Sequence, residues 1–173
     1  MSTRLDLSKL SLMDALDLAK LIEMEACHRY QMFAAQIGTV GDYDAGGFFA
    51  SMAENEAKHG QEIEARRKEL FGDTPAKVTL DDLYDVEAPE MGEVRRDMSV
   101  MDAFKVGLAA EQKAYDFYND SLPGVTDPEV RDLFTELRDE EVEHVEMLEA
   151  AMAKLPASAS EKVEFDVDET PYL

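Results

Sequence analysis

Apolar residues return every three or four positions through most of the chain, the period of an α-helix that buries one face. The pattern predicts four helices. The first runs from Leu12 to Ile37, with Ser11 as its cap and Asp14 three residues on, and ends at Gly38 and Gly41. The second follows the turn at Gly46 and Gly47 and continues to Phe71, ahead of Gly72. The third opens at Ser99, again with an acid three residues later (Asp102), and stops before Pro123 and Gly124. For the fourth, Asp127, Pro128 and Glu129 supply a cap, a proline at the first helical position and an acid in the first turn. Its pattern fades before Pro156. Two of the three links are short, whereas residues 72–97, with Pro75, Pro89 and Gly92, carry no helical period. The expected architecture is all-α, two antiparallel helix hairpins joined by one long crossover. Residues 1–155 should form the bundle, and 156–173, rich in acids and holding Pro171, a flexible tail.

Composition narrows the class. A length of 173 residues suits one domain with its own core. With 39 acidic against 17 basic residues, the formal net charge is −22. That balance excludes nucleic acid and anionic membrane surfaces as partners, because both need clustered Lys and Arg. Yet 45% of the residues are hydrophobic, more than an acidic disordered chain carries. A single cysteine, Cys27, excludes an internal disulfide and any four-thiolate metal centre. Neither a signal pattern nor a membrane-length apolar run is present, so a soluble, cytoplasmic protein is expected.

The chemistry lies where the apolar stripes are broken. On the second helix the stripe reads Phe49, Met52, Ala53, Glu56, His59, Gly60, Ile63, and on the fourth Phe134, Leu137, Glu141, His144, Leu148. Glu23 interrupts the first helix and Glu111 the third. The breaks repeat. At an offset of 88 residues Ser11, Met13, Asp14, Glu23, Ala26 and Tyr30 recur as Ser99, Met101, Asp102, Glu111, Ala114 and Tyr118. At an offset of 85, Phe49, Glu56 and His59 recur as Phe134, Glu141 and His144. A buried carboxylate costs several kcal/mol unless neutralised, and no Lys or Arg lies on these stripes. Two divalent cations would balance four carboxylates. Glu and His three apart share a helical face, so each Glu-x-x-His can offer one ion a nitrogen and an oxygen. The predicted ligands are Glu23, Glu56, His59, Glu111, Glu141 and His144.

At these residues the chain resembles the ferritin-like superfamily, and the rubrerythrin di-iron domain in particular. The local cues are Glu23 with Tyr30 and Phe33, and the run Met52-Ala53-Glu54-Asn55-Glu56-Ala57-Lys58-His59; the likeness extends over residues 11–153. It implies a ferritin-like four-helix bundle, two iron ions per chain, and an oxidoreductase responding to oxidative stress. The substrate would be peroxide or dioxygen, and the assembly a homodimer or larger. Iron is favoured by the resemblance; the donor set suits manganese or zinc as well. Rubrerythrins proper add a rubredoxin domain with paired cysteines, and this chain has only Cys27, so its electron donor should be a separate molecule. Ala114 stands where the family carries a further glutamate on the third helix.

Several neighbours have two readings. Tyr30 and Tyr118 lie two turns past the glutamates of their own helices, about 10.5 Å by helical rise. Each either hydrogen-bonds a ligand from another helix or packs in the core. Glu25 and His28 form a third Glu-x-x-His, but Glu25 is turned about 200° from Glu23 and should face solvent. Cys27 reads as a small buried hydrophobe. Three other functions fit the same sequence: iron storage or handling, manganese-catalase chemistry, and a non-enzymatic acidic interaction module.

Overall fold

Serine and aspartate caps set the starts of the helices. In the computed structural model, which describes residues 6–79 and 98–162, Ser11 accepts a hydrogen bond from the Asp14 amide and opens α1 (Leu12–Gln36). A two-stranded antiparallel turn follows, β1 (Thr39–Val40) with β2 (Tyr43–Asp44), in which Gly41 takes the left-handed φ of 57°. Asp44 then caps α2 (Ala45–Phe71), accepting from the Gly47 amide at 2.9 Å. Ser99 opens α3 (Val100–Ser121) by the same contact that Ser11 makes, and Asp127 opens α4 (Pro128–Met152) with Pro128 in the first turn. Residues 80–97 of the expected crossover and 163–173 of the expected tail lie outside the described residues. A 3-10 turn at Ala157–Ser160 packs on α3 and buries Ala159.

One boundary differs from the sequence expectation. Gly46 and Gly47 do not precede α2 but form its first turn. The Gly46 amide donates to the Gly38 carbonyl at 3.1 Å, and a Cβ on Gly46 would lie 2.2 Å from the Ile37 oxygen. The glycine is needed for the close approach of two helix ends, not to stop a helix.

The helices form two packed pairs, α1 with α2 and α3 with α4, in the ferritin-like arrangement. Their apolar faces build two separate cores. One gathers Leu16, Ile22, Ile63, Tyr118, Phe134 and Leu137; the other, late in α1 and α4 and early in α2 and α3, gathers Tyr30, Phe33, Phe49, Met52, Phe104 and Leu148. Between them, at mid-helix, lies a polar layer of Glu23, Glu56, Glu111, Glu141 and His144, all buried. The hairpin of α1 and α2 is also held by Asp17, which accepts two hydrogen bonds from Arg67 at 2.8 and 3.1 Å. Arg67 donates as well to the Gly72 and Thr74 carbonyls, closing the end of α2. Among the described residues, no helix is long and apolar enough to cross a membrane.

Candidate metal centre

Each helix contributes from the break in its apolar stripe. Glu23 comes from α1, Glu56 and His59 from α2, Glu111 from α3, and Glu141 and His144 from α4. The imidazoles of His59 and His144 lie nearly parallel, ring centres 5.4 Å apart, and so face one another across the two pairs. His144 Nδ1 sits 3.3 Å from Glu56 Oε1, 3.5 Å from Glu111 Oε2 and 3.6 Å from Glu141 Oε2. His59 Nδ1 sits 3.7 Å from Glu23 Oε2. Two overlapping groups can each hold an ion, Glu56 with His59 and His144, and Glu111 with Glu141 and His144. Glu23 stands outside both groups and approaches the cluster through His59.

The contacts within the cluster are of the kind a cation leaves. Glu56 Oε1, His59 Nδ1 and His144 Nδ1 are buried and make no hydrogen bond, although three carboxylate oxygens stand around the last of these. Groups this polar are paired when buried. Donors bound to one ion at about 2.1 Å lie at most about 4.2 Å apart, and each nitrogen–oxygen separation above falls within that limit. The oxygen and imidazole donors therefore fit divalent ions of the iron and manganese type.

Without an ion the cluster balances its charge with protons. Burial, reinforced by the Glu111 charge, pushes the Glu56 carboxyl well above the usual carboxylate range. For Glu111 burial acts the same way, but His144, Glu141 and Tyr30 face it and hold it below that range. Burial disfavours the charged form of His144, and the Glu111 and Glu56 carboxylates outweigh it, raising the imidazole to about 9.

Tyr30, fully buried on α1, donates its hydroxyl to Glu111 Oε1 on α3, reaching the glutamate of the other pair. Gly107, one turn before Glu111, lies against that ring: a Cβ there would be in ordinary van der Waals contact with Tyr30, at 3.4 Å. Tyr118 is equally buried and packs edge-on against Phe117 and Phe134. Glu25 and His28 are exposed, as expected, and Cys27 is half-buried. A cavity of about 370 Å³ opens between α1 and α2, with Cys27, His28 and Gln31 on its sides and Glu23 and Glu56 among its lining.

The sequence reading missed Glu140. Its carboxylate, half-buried on α4, lies 4.0 Å from His59 Nδ1. Burial raises its pKa, opposed by His59. Within the run Asp139-Glu140-Glu141 it read as part of a solvated face, and the repeat gave no signal, because the position 85 residues earlier is Asn55.

Solved structures share the fold. An uncharacterised conserved protein of Magnetospirillum magnetotacticum is 27% identical, with a TM-score of 0.69 over 85% of this chain and 97% of that one. A hypothetical protein of Pyrococcus furiosus is 24% identical, with a TM-score of 0.61 over 83% and 89% of the two chains. For a candidate ferritin-like diiron-carboxylate protein of Thermotoga maritima the identity is 16% and the TM-score 0.56, over 84% and 96%. No curated protein matches the chain. The sequence model of one family spans both helix pairs and every residue of the cluster, residues 14–152, and by that match the chain belongs to the rubrerythrin family.

Proposed function

We propose that the protein is a di-iron oxidoreductase that reduces hydrogen peroxide or dioxygen, or oxidises ferrous iron, drawing electrons from a separate donor. The observation that carries this reading is the set of four buried glutamates, buried His144 and partly exposed His59, in which Glu56, His59 and His144 keep donor atoms without hydrogen bonds. Membership of the rubrerythrin family supports it, as does the fold shared with the Thermotoga maritima protein.

In this reading Glu56 and His59 would hold one ion, with Glu23 3.7 Å from His59, and Glu111, Glu141 and His144 would hold the other, with Glu56 3.3 Å from His144. When bound, two ferrous ions supply the two electrons that take hydrogen peroxide, with two protons, to two waters. Tyr30 orients Glu111, and its hydroxyl is the nearest buried proton donor to that carboxylate. The cavity between α1 and α2 is wide enough to admit a small oxidant to Glu23 and Glu56. The two apolar cores above and below keep bulk water from the rest of the layer.

The test is elemental analysis of the purified protein, followed by peroxide consumption under a supplied reductant. About two irons per chain and peroxide loss that depends on them are expected. Fewer than one transition metal per chain after anaerobic loading would overturn the reading, and manganese with oxygen evolution from peroxide would replace it.

A further inference from the structure

The two halves of the centre repeat in sequence but not in exposure. The His144 side chain is 5% exposed and closed in by Glu56, Glu111 and Glu141. That of His59 is 19% exposed and faces a cavity of about 90 Å³ between α2 and α4. Of the acids in that cavity, Glu136 lies 3.7 Å from Arg66 at the rim and is 63% exposed. Glu140 is set deeper, 34% exposed, with Oε2 4.0 Å from His59 Nδ1. At the corresponding place in the other half the residue is Asn55, an amide in place of a carboxylate.

We infer that Glu140 is a seventh ligand of the centre, binding the divalent cation that His59 holds at this open end. The inference rests on the di-metal reading above and deepens it. Two donors on one ion at about 2.1 Å stand no more than about 4.2 Å apart. His59 Nδ1 meets that limit with both carboxylates, at 3.7 Å to Glu23 and 4.0 Å to Glu140, from opposite helix pairs. An ion held by His59 on α2 therefore has the α4 carboxylate within reach as well as that of α1. The one at the closed end has Glu111, Glu141 and His144, with no equivalent of Glu140 beside it in the repeat. The two positions differ in ligand set although the motifs that build them match.

The experiment is a titration of the metal-free full chain with Co²⁺, read by visible absorbance, which reports coordination as well as occupancy. Wild type takes up two equivalents. E140Q, which keeps size and hydrogen-bonding capacity, should weaken one equivalent by about tenfold or more and change its spectrum, leaving the other within about twofold. E140A should do the same. E136Q removes a charge from the same cavity and should leave both equivalents within about twofold, since Glu136 is already paired at the rim. Unchanged affinity and spectrum in both Glu140 variants would overturn the inference. So would equal weakening by E136Q, which would make the effect one of general charge. A wild-type chain that binds no cobalt overturns the di-metal reading itself, so the two failures are told apart by the wild type alone.

Discussion

Tyr30 shows how much a single hydroxyl can arrange at this centre. It sits on α1, is fully buried, and donates across the bundle to Glu111 on α3. A carboxylate fixed in this way loses less freedom when an ion arrives, and removing such a partner typically costs about 10- to 100-fold in metal affinity. Tyr30→Phe should therefore weaken the ion at the closed end by that factor, measured by the same cobalt titration. Equal affinity for both equivalents in the variant would show that the hydroxyl only fills space. Because Glu140 belongs to the opposite end, the losses in Tyr30→Phe and E140Q should fall on different equivalents. The repeat placed Tyr30 and Tyr118 as counterparts in the sequence. Only the structure shows which carboxylate the Tyr30 hydroxyl meets, since that contact crosses from one helix pair to the other.

The same distinction between pattern and packing holds for whole elements. Helix periodicity and caps gave all four described helices, because an amphipathic stripe and a capping side chain are local features. The start of α2 was not legible, since the spacing between the ends of α1 and α2 is a tertiary fact. Gly46 reads as a helix breaker in sequence and acts as the point where α2 passes the Ile37 carbonyl. Gly46→Ala should then destabilise the metal-free protein by about 1–3 kcal/mol, as overpacking does. Gly38→Ala, where the added Cβ meets open space, should change stability by less than about 0.5 kcal/mol. Chemical denaturation of the two variants compares them, and equal effects would remove the close-approach argument. The six ligand candidates were legible for a different reason: charged residues on an apolar stripe contradict the pattern, and the repeat makes the contradiction twice. Glu140 contradicts nothing, so it emerged only when α4 was seen beside His59.

At the scale of the molecule, the net charge of −22 separates into a solvated surplus and a few acids that the fold must neutralise. Protons do this in the metal-free protein. His144 is raised to about 9, with Glu111 and Glu56 overcoming the effect of its burial, and Glu56 is pushed well above the carboxylate range. A histidine whose folded pKa exceeds its unfolded value of about 6.5 stabilises the fold fully below that pH and loses the contribution as pH rises toward 9. Glu56 acts in the same direction, its raised pKa favouring the fold at low pH and opposing it once the carboxyl must ionise. Metal binding reverses the dependence, because each ion has to displace these protons. The metal-free protein should therefore lose thermal stability between about pH 6.5 and pH 9. The loaded protein should hold or gain it, so the rise in Tm on adding metal widens with pH. Thermal unfolding of both forms at several pH values in that window measures the gap. A gap that stayed constant would mean that the ions bind without displacing protons from His144 or Glu56, and the centre would have to lie elsewhere in the bundle.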